Sequence, residues 1–234
     1  MASNVRNPEW LESVRVRTAL AERHFREGNY DACRQLITEL QAEGFDTPLA
    51  RVGLAMVDYL DGQFAAVLGQ LEQVEQMSRV PAQVWELVGR LYLRQRRMME
   101  AARALDRAIA MEPASASARH ARGLAHLLFG DAAAAEREFR DALARGAQSF
   151  EAYYHLAVSL ERQQRTDEAI DAFKTAVAAA PTVAGPAHRR LADLLERRGQ
   201  AALAMHHRAL APRRESSGRP RAFDVEWLRQ GLAP

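Results

Sequence analysis

The chain has 234 residues, 48% of them hydrophobic and 26% charged, with 32 basic against 30 acidic side chains, a net charge of +2 and a pI near 9.0. That is an ordinary globular composition, which excludes a disordered polymer, and no run of about 20 apolar residues is present to span a membrane. The single cysteine, Cys33, excludes an internal disulfide framework. Together with the polar opening MASNVRNPEW, which is unlike a secretory leader, it sets the cytoplasm as the expected compartment.

The first predicted helix starts with Asn7 as cap and Pro8 in the first turn and runs to about Glu27. A second follows near 31–43. The alternation then repeats, with first helices near 48–60, 82–94, 116–129, 149–163 and 186–198. Second helices lie near 64–77, 98–111, 132–145, 167–180 and 201–210, and no strand is predicted. Gly28, Gly62, Gly130 and Gly199 stand where a first helix ends, where a left-handed residue closes the turn. Arg96 and Gln164 hold that place in the other two pairs, so those two turns are expected to differ. Arg122 takes a place filled elsewhere by Leu20, Leu54, Val88, Leu156 and Leu191, and is expected to lay its aliphatic stem along the core with its head reaching water or a partner.

Residues 212–222 form a basic linker with Arg213, Arg214, Arg219 and Arg221 around Ser216, Ser217 and Gly218. The tail 223–234 is a short amphipathic segment with Phe223, Trp227 and Leu228 on one side and Asp224 as cap. It would cover the apolar end of the preceding helices or insert into a groove of its own or a neighbouring molecule. Elsewhere the arginines interleave with acids, and Lys174 is the only lysine, so no basic stretch suited to nucleic acid is expected.

A spacing of 34 residues organises all of these elements. Ala21, Ala55, Gly89, Gly123 and Ala157 follow one another at that step, as do Cys33, Val67, Ala101, Ala135 and Ala169. A third series carries bulk at Ile37, Leu71, Leu105, Phe139 and Phe173. A fixed period of this size marks a repeat architecture in which small residues let paired helices approach and large ones fill the seam. Beyond Thr182 the register moves to 35, as Leu191, Ala192, Gly199 and Ala204 show, which places one extra residue in the Thr182 to Pro186 connection.

The unit from Ala82 to about Ser115 reads Trp85, Val88, Gly89, Tyr92, Ala101, Leu105, Ala108 and Pro113. The unit from Phe150 reads Tyr153, Leu156, Ala157, Leu160, Ala169, Phe173, Ala176 and Pro181. Both resemble the tetratricopeptide repeat, with its aromatic, aliphatic-Gly, aromatic, Ala, aromatic or Leu, Ala and Pro pattern. The resemblance implies an all-α fold, a right-handed solenoid of about six helix-turn-helix units near 14–47, 48–81, 82–115, 116–149, 150–184 and 185–211, preceded by an extension over 1–13.

It also implies an inner groove lined by the first helices, with contacts from the second, fifth, ninth, twelfth and thirteenth places of each unit. Those places select Val52, Met56 and Tyr59; Arg90, Leu93 and Arg94; His120, Leu124 and Leu127; and Tyr154, Val158, Arg162 and Arg189. Apolar pockets flanked by Arg suit a protein partner, a peptide or helix with apolar and acidic groups. The basic clamp with which some members grip chaperone tails is missing, since its positions hold Thr18, Glu22, Val52, Met56, Glu86 and Arg90.

No catalytic motif is present. There is no P-loop, no nucleophile elbow and no HExxH, the seven histidines are scattered, and Glu136 and Glu138, two apart on a helix, point to different faces. The sequence is therefore expected to be non-enzymatic, with no cofactor and no metal. Its expected role is that of an adaptor, and the alternatives are an accessory or targeting part of a larger enzyme system and a self-assembling scaffold, with homo-oligomers in either case open.

Overall fold

Side-chain caps start several of the helices. Thr47, Ser115, Asp131 and Ser149 each accept a hydrogen bond from the backbone N–H three residues on, at 3.1, 3.1, 2.9 and 3.3 Å. Each satisfies one of the donors that a helix start leaves orphaned, worth about 1 kcal/mol. The computed structural model describes residues 8–211. The Asn7 cap, the basic linker and the amphipathic tail lie outside the described residues.

Within them are twelve α-helices and no strand. They are α1 (Pro8–Glu27), α2 (Tyr30–Ala42), α3 (Pro48–Leu60), α4 (Phe64–Gln76), α5 (Ala82–Arg94) and α6 (Met98–Met111), followed by α7 (Ala116–Phe129), α8 (Ala132–Ala144), α9 (Phe150–Arg162), α10 (Thr166–Ala179), α11 (Gly185–Arg197) and α12 (Ala201–Leu210). The helices fall within a residue or two of the predicted spans. The longer connection after α10 holds a single 3₁₀ turn, Pro181–Val183.

The chain divides inside α5, after Val88, into two packed units. In the first, Phe25, Cys33, Ile37, Leu40, Val52, Ala55, Met56, Val67 and Leu71 are buried. In the second, one core joins Phe139, Ala157, Phe173, Leu191 and Leu194 from α8 to α11.

The 34-residue series act as predicted where geometry is tightest. A methyl group built on Gly89 would lie 2.6 Å from Leu105, and one on Gly123 would lie 2.6 Å from the Phe139 ring, which has no exposed surface. Bulk on one helix of a pair occupies the space that the glycine on its partner leaves. Arg122 finds the partners that its place demands. It is half-buried but paired, donating to Asp106 at 3.0 Å and Glu138 at 2.6 Å, so its charge is met by carboxylates rather than by water alone.

The two turns without glycine differ from expectation. Arg96 and Gln164 adopt φ of 58° and 62°, the same left-handed conformation as Gly28, Gly62, Gly130 and Gly199. The backbone closure is the same too: Arg97 N–H reaches Tyr92 O at 2.9 Å and Arg165 N–H reaches Leu160 O at 3.1 Å, as Asp131 N–H reaches His126 O at 3.0 Å. Register and helix packing thus impose the turn, and the side chain bears the strain.

Two outcomes follow. Gly123→Val should lower stability by about 1–3 kcal/mol in urea titration, the usual cost of overpacking. Gln164→Gly should leave stability unchanged or raise it by up to about 1 kcal/mol, since relief of roughly 1–2 kcal/mol of left-handed strain exceeds the added entropy of the unfolded glycine.

Candidate functional site

In the second unit the first helices touch one another directly. His120 of α7 and His155 of α9 bring Nε2 and Nδ1 to 3.0 Å, and Arg162 of α9 donates to the Leu127 carbonyl of α7. Glu161 of α9 pairs with Arg197 at 3.0 Å and Arg190 at 3.5 Å, both on α11. These links set α7, α9 and α11 side by side as one wall.

The predicted docking residues divide into core and surface. Val52 and Met56 have no exposed area, which corrects their assignment as ligand contacts. Seven successive residues of α3, Val52 to Asp58, are buried, so the middle of that helix is enclosed on every side, as its run VGLAMV suits. Tyr59 is half-buried with its ring 5.8 Å from Phe64. Leu93, Leu127 and Val158 keep only 8%, 6% and 8% of their surface and are mainly packing residues.

Arg90 is equally buried, and its guanidinium donates to the Ser117 carbonyl at 3.1 Å and hydroxyl at 2.7 Å. It fastens α5 to the start of α7, so its first duty is to the fold. The side chains left facing outward are Arg94 and Arg162, exposed, and His120, Leu124, Tyr154 and Arg189, half-buried. Beside them Leu128 is 52% exposed, a large apolar surface at the end of α7.

His155 is a member of this constellation that the repeat positions did not select. Its ring stacks on Phe139 and contacts Tyr154, while His120 also meets Phe139. The available signal was the spacing of His120 and His155, one period plus one residue. Burial holds His120 well below the usual imidazole value, with His155 and the charge of Arg90 adding to it. Burial draws His155 down to about 4, helped by the charges of Arg90 and Arg94 and only partly offset by a backbone hydrogen bond at Glu151. The two rings are therefore neutral, one N–H donating to the other nitrogen, beside permanent cations.

Of the arginines on α5, α7 and α9, Arg119 and Arg122 pair with acids of α6 and α8 and Arg90 is buried, whereas Arg94 and Arg162 stand exposed beside Leu124, Leu128 and Tyr154. The wall thus presents cationic and apolar groups together.

The first unit offers a different feature, a cavity of about 340 Å³ lined chiefly by Phe25, Cys33, Ile37, Leu40, Phe45 and Leu49. Cys33 lies buried there, and burial pushes its thiol up to about 11, away from thiolate reactivity. Among the described residues no group of three or more His, Cys, Asp or Glu is placed to hold a metal, and no helix is long and apolar enough to cross a membrane.

The tetratricopeptide repeat model matches residues 88–149 and 129–184. Residues 88–184 are tetratricopeptide repeats. Among solved structures it is similar to PilW, described as a widely conserved type IV pilus biogenesis factor, with a TM-score of 0.77 at 19% identity over 84% of this chain and 91% of that one. It is similar also to MamA from Desulfovibrio magneticus RS-1, with a TM-score of 0.60 at 17% identity over 69% of this chain and 91% of that one. The APC/C hetero-tetramer Cut9–Hcn1 gives a TM-score of 0.73 at 13% identity over 94% of this chain and 43% of that one. These likenesses show the tetratricopeptide fold. No curated protein matches the chain.

The histidine pair makes this repeat protein sensitive to acid. Both imidazoles bind protons more weakly in the folded chain than at the unfolded value near 6.5, so their contribution is complete above that pH and is lost as pH falls toward 4. Stability should therefore decline from neutral pH to about pH 5, by up to about 1.4 kcal/mol per pH unit for each imidazole. Urea titrations across this range check it, and His155→Gln should remove one imidazole's share of the slope.

Proposed function

We propose that this tetratricopeptide repeat protein is a non-enzymatic adaptor whose second unit docks a peptide or helix carrying apolar side chains and at least one carboxylate. The observation that carries it is the first-helix wall of that unit, where Leu124, Tyr154 and Leu128 lie beside the exposed Arg94 and Arg162. Tyrosine and arginine are the side chains most enriched at protein contact sites, and the forked guanidinium reads a carboxylate through two parallel hydrogen bonds.

Arg94, Tyr154, Leu124 and Arg162 are the proposed contacts, with Arg189 beside them on α11 and Tyr59 as a separate candidate on the first unit. Arg90 and the His120–His155 pair brace the helices that carry them. The cytoplasm is the proposed compartment, in keeping with Cys33 being the chain's one cysteine and a free thiol.

Selection from a displayed peptide library on the full chain should enrich sequences that combine Leu, Phe or Met with Asp or Glu. Arg94→Glu should weaken the selected peptides about tenfold or more in fluorescence polarisation, the cost of replacing a charge-assisted pair by like charges, with helicity by circular dichroism unchanged. A consensus without acidic residues, or equal affinity for Arg94→Glu, would refute it.

A further inference from the structure

The last helix among the described residues buries little of its side-chain surface. Of the ten residues of α12 only Ala204 is buried, while Leu203, Met205 and Leu210 are 52%, 69% and 49% exposed. Among the described residues its side-chain links include Arg208, which pairs with Glu196 and lies 3.8 Å from Asp193, and a ring contact between His207 of α12 and His188 of α11. The latter brings the two Nδ1 atoms to 2.8 Å, with ring centroids 5.1 Å apart. His188 is buried and His207 half-buried.

The use of the same nitrogen on both rings fixes the proton inventory. In the neutral pair one ring carries its hydrogen on Nδ1 and donates it to the bare Nδ1 of the other. A first added proton goes to the free Nε2 of the donor ring, and the contact becomes a charge-assisted hydrogen bond. A second has nowhere to go but the acceptor's Nδ1, its only lone pair. Two imidazolium rings then oppose N–H to N–H, and the contact turns from attraction to repulsion.

The surroundings do not absorb that charge. His206 of α12 lies against His207, with ring centroids 5.5 Å apart. From α10, Lys174 adds its positive charge at His207. The nearby acids of α10 are engaged: Asp171 pairs with Lys174 at 3.3 Å, and Asp167 with Arg198, just after α11, at 2.5 Å. Burial first, then His206, holds His188 below the ordinary imidazole value; burial, then His188, His206 and Lys174, does the same to His207. Beside the pair opens a cavity of about 600 Å³ with Ile170, Leu195 and Leu203 in its lining, so separation of α12 meets no closely packed seam there.

We propose that the His188–His207 contact is an acid-sensitive latch: uptake of the second proton separates the rings and releases α12 from α11, uncovering the apolar side of α11 around Leu195 while α9 and α10 stay folded. The sign follows from linkage, since the closed form binds fewer protons than the open one, so closure is complete near neutral pH and is lost as pH falls below the ordinary imidazole range. The His120–His155 pair, packed against the buried Phe139 and with His155 drawn down to about 4, yields later. The latch is independent of the docking wall proposed above.

Hydrogen exchange with mass spectrometry on the full chain, at about pH 7.5 and about pH 5 with times scaled to intrinsic exchange, tests it. Peptides covering 201–210 should lose about tenfold or more in protection at the lower pH, while those covering α9 and α10 change by less than about threefold. In His207→Gln, and separately in His188→Gln, the amide supplies either a donor or an acceptor to the remaining ring, and protection of 201–210 should then survive at about pH 5 to within about threefold. No loss in the native chain, equal loss across α9, α10 and α12, or undiminished loss in both glutamine variants would overturn the latch.

Discussion

The structure depends on one steric constraint, the close approach of the two helices in each repeat. It is sharpest where Gly123 lies under the Phe139 ring and Gly89 under Leu105, with room for a hydrogen and not for a methyl group. A close approach lets a ring or branched side chain on the second helix reach across the first, so that Phe139 and Phe173 become wholly buried in a protein built of thin layers. Each unit buries little alone, and the stack gains stability from neighbours. The same constraint explains why Arg96 and Gln164 accept a left-handed backbone: the packing of helix pairs is stiffer than the preference of one residue.

Helices, their pairing and the glycines were legible because period and volume are properties of sequence. Small residues recur at one spacing and large ones at another, and the helix ends follow from caps and turn residues that act locally. The docking residues were less legible. Positions taken from the repeat pattern say which face of a helix points to the wall only when the helix has a free face. In α3 it has none, since Val52 to Asp58 are enclosed, and Val52 and Met56 therefore fill the interior. Arg90, expected as a groove contact, is instead buried against Ser117, 27 residues away, a pairing set by tertiary packing.

Charge shows the same division between local pattern and long-range placement. Glu136 and Glu138 stand two apart and do serve different faces: Glu138 accepts from Arg122, whereas Glu136 is buried and bound by Gln163 and Arg165 at 2.6 and 2.7 Å. Burial alone would raise the Glu136 carboxyl, but those hydrogen bonds and the charges of Arg140 and Arg165 more than offset it and leave it below the usual carboxylate range. Among the described residues, interleaved charges in the sequence thus become paired charges between helices.

What remains unpaired in kind is the histidine. Carboxylates and guanidiniums keep their charge across the physiological range, so the links they make between helices are insensitive to modest acidity. Imidazoles do not. The second unit uses them at two joints, His120 with His155 between successive first helices and His188 with His207 at the last hairpin, each closed by a single shared hydrogen. At the first joint the rings lie against Phe139 in the middle of the core, and opening it would cost the packing around it. At the second, one alanine is the only buried side chain of the helix concerned. The same chemical contact therefore braces the wall in one place and, in the other, sets how firmly the end of the repeat array is closed.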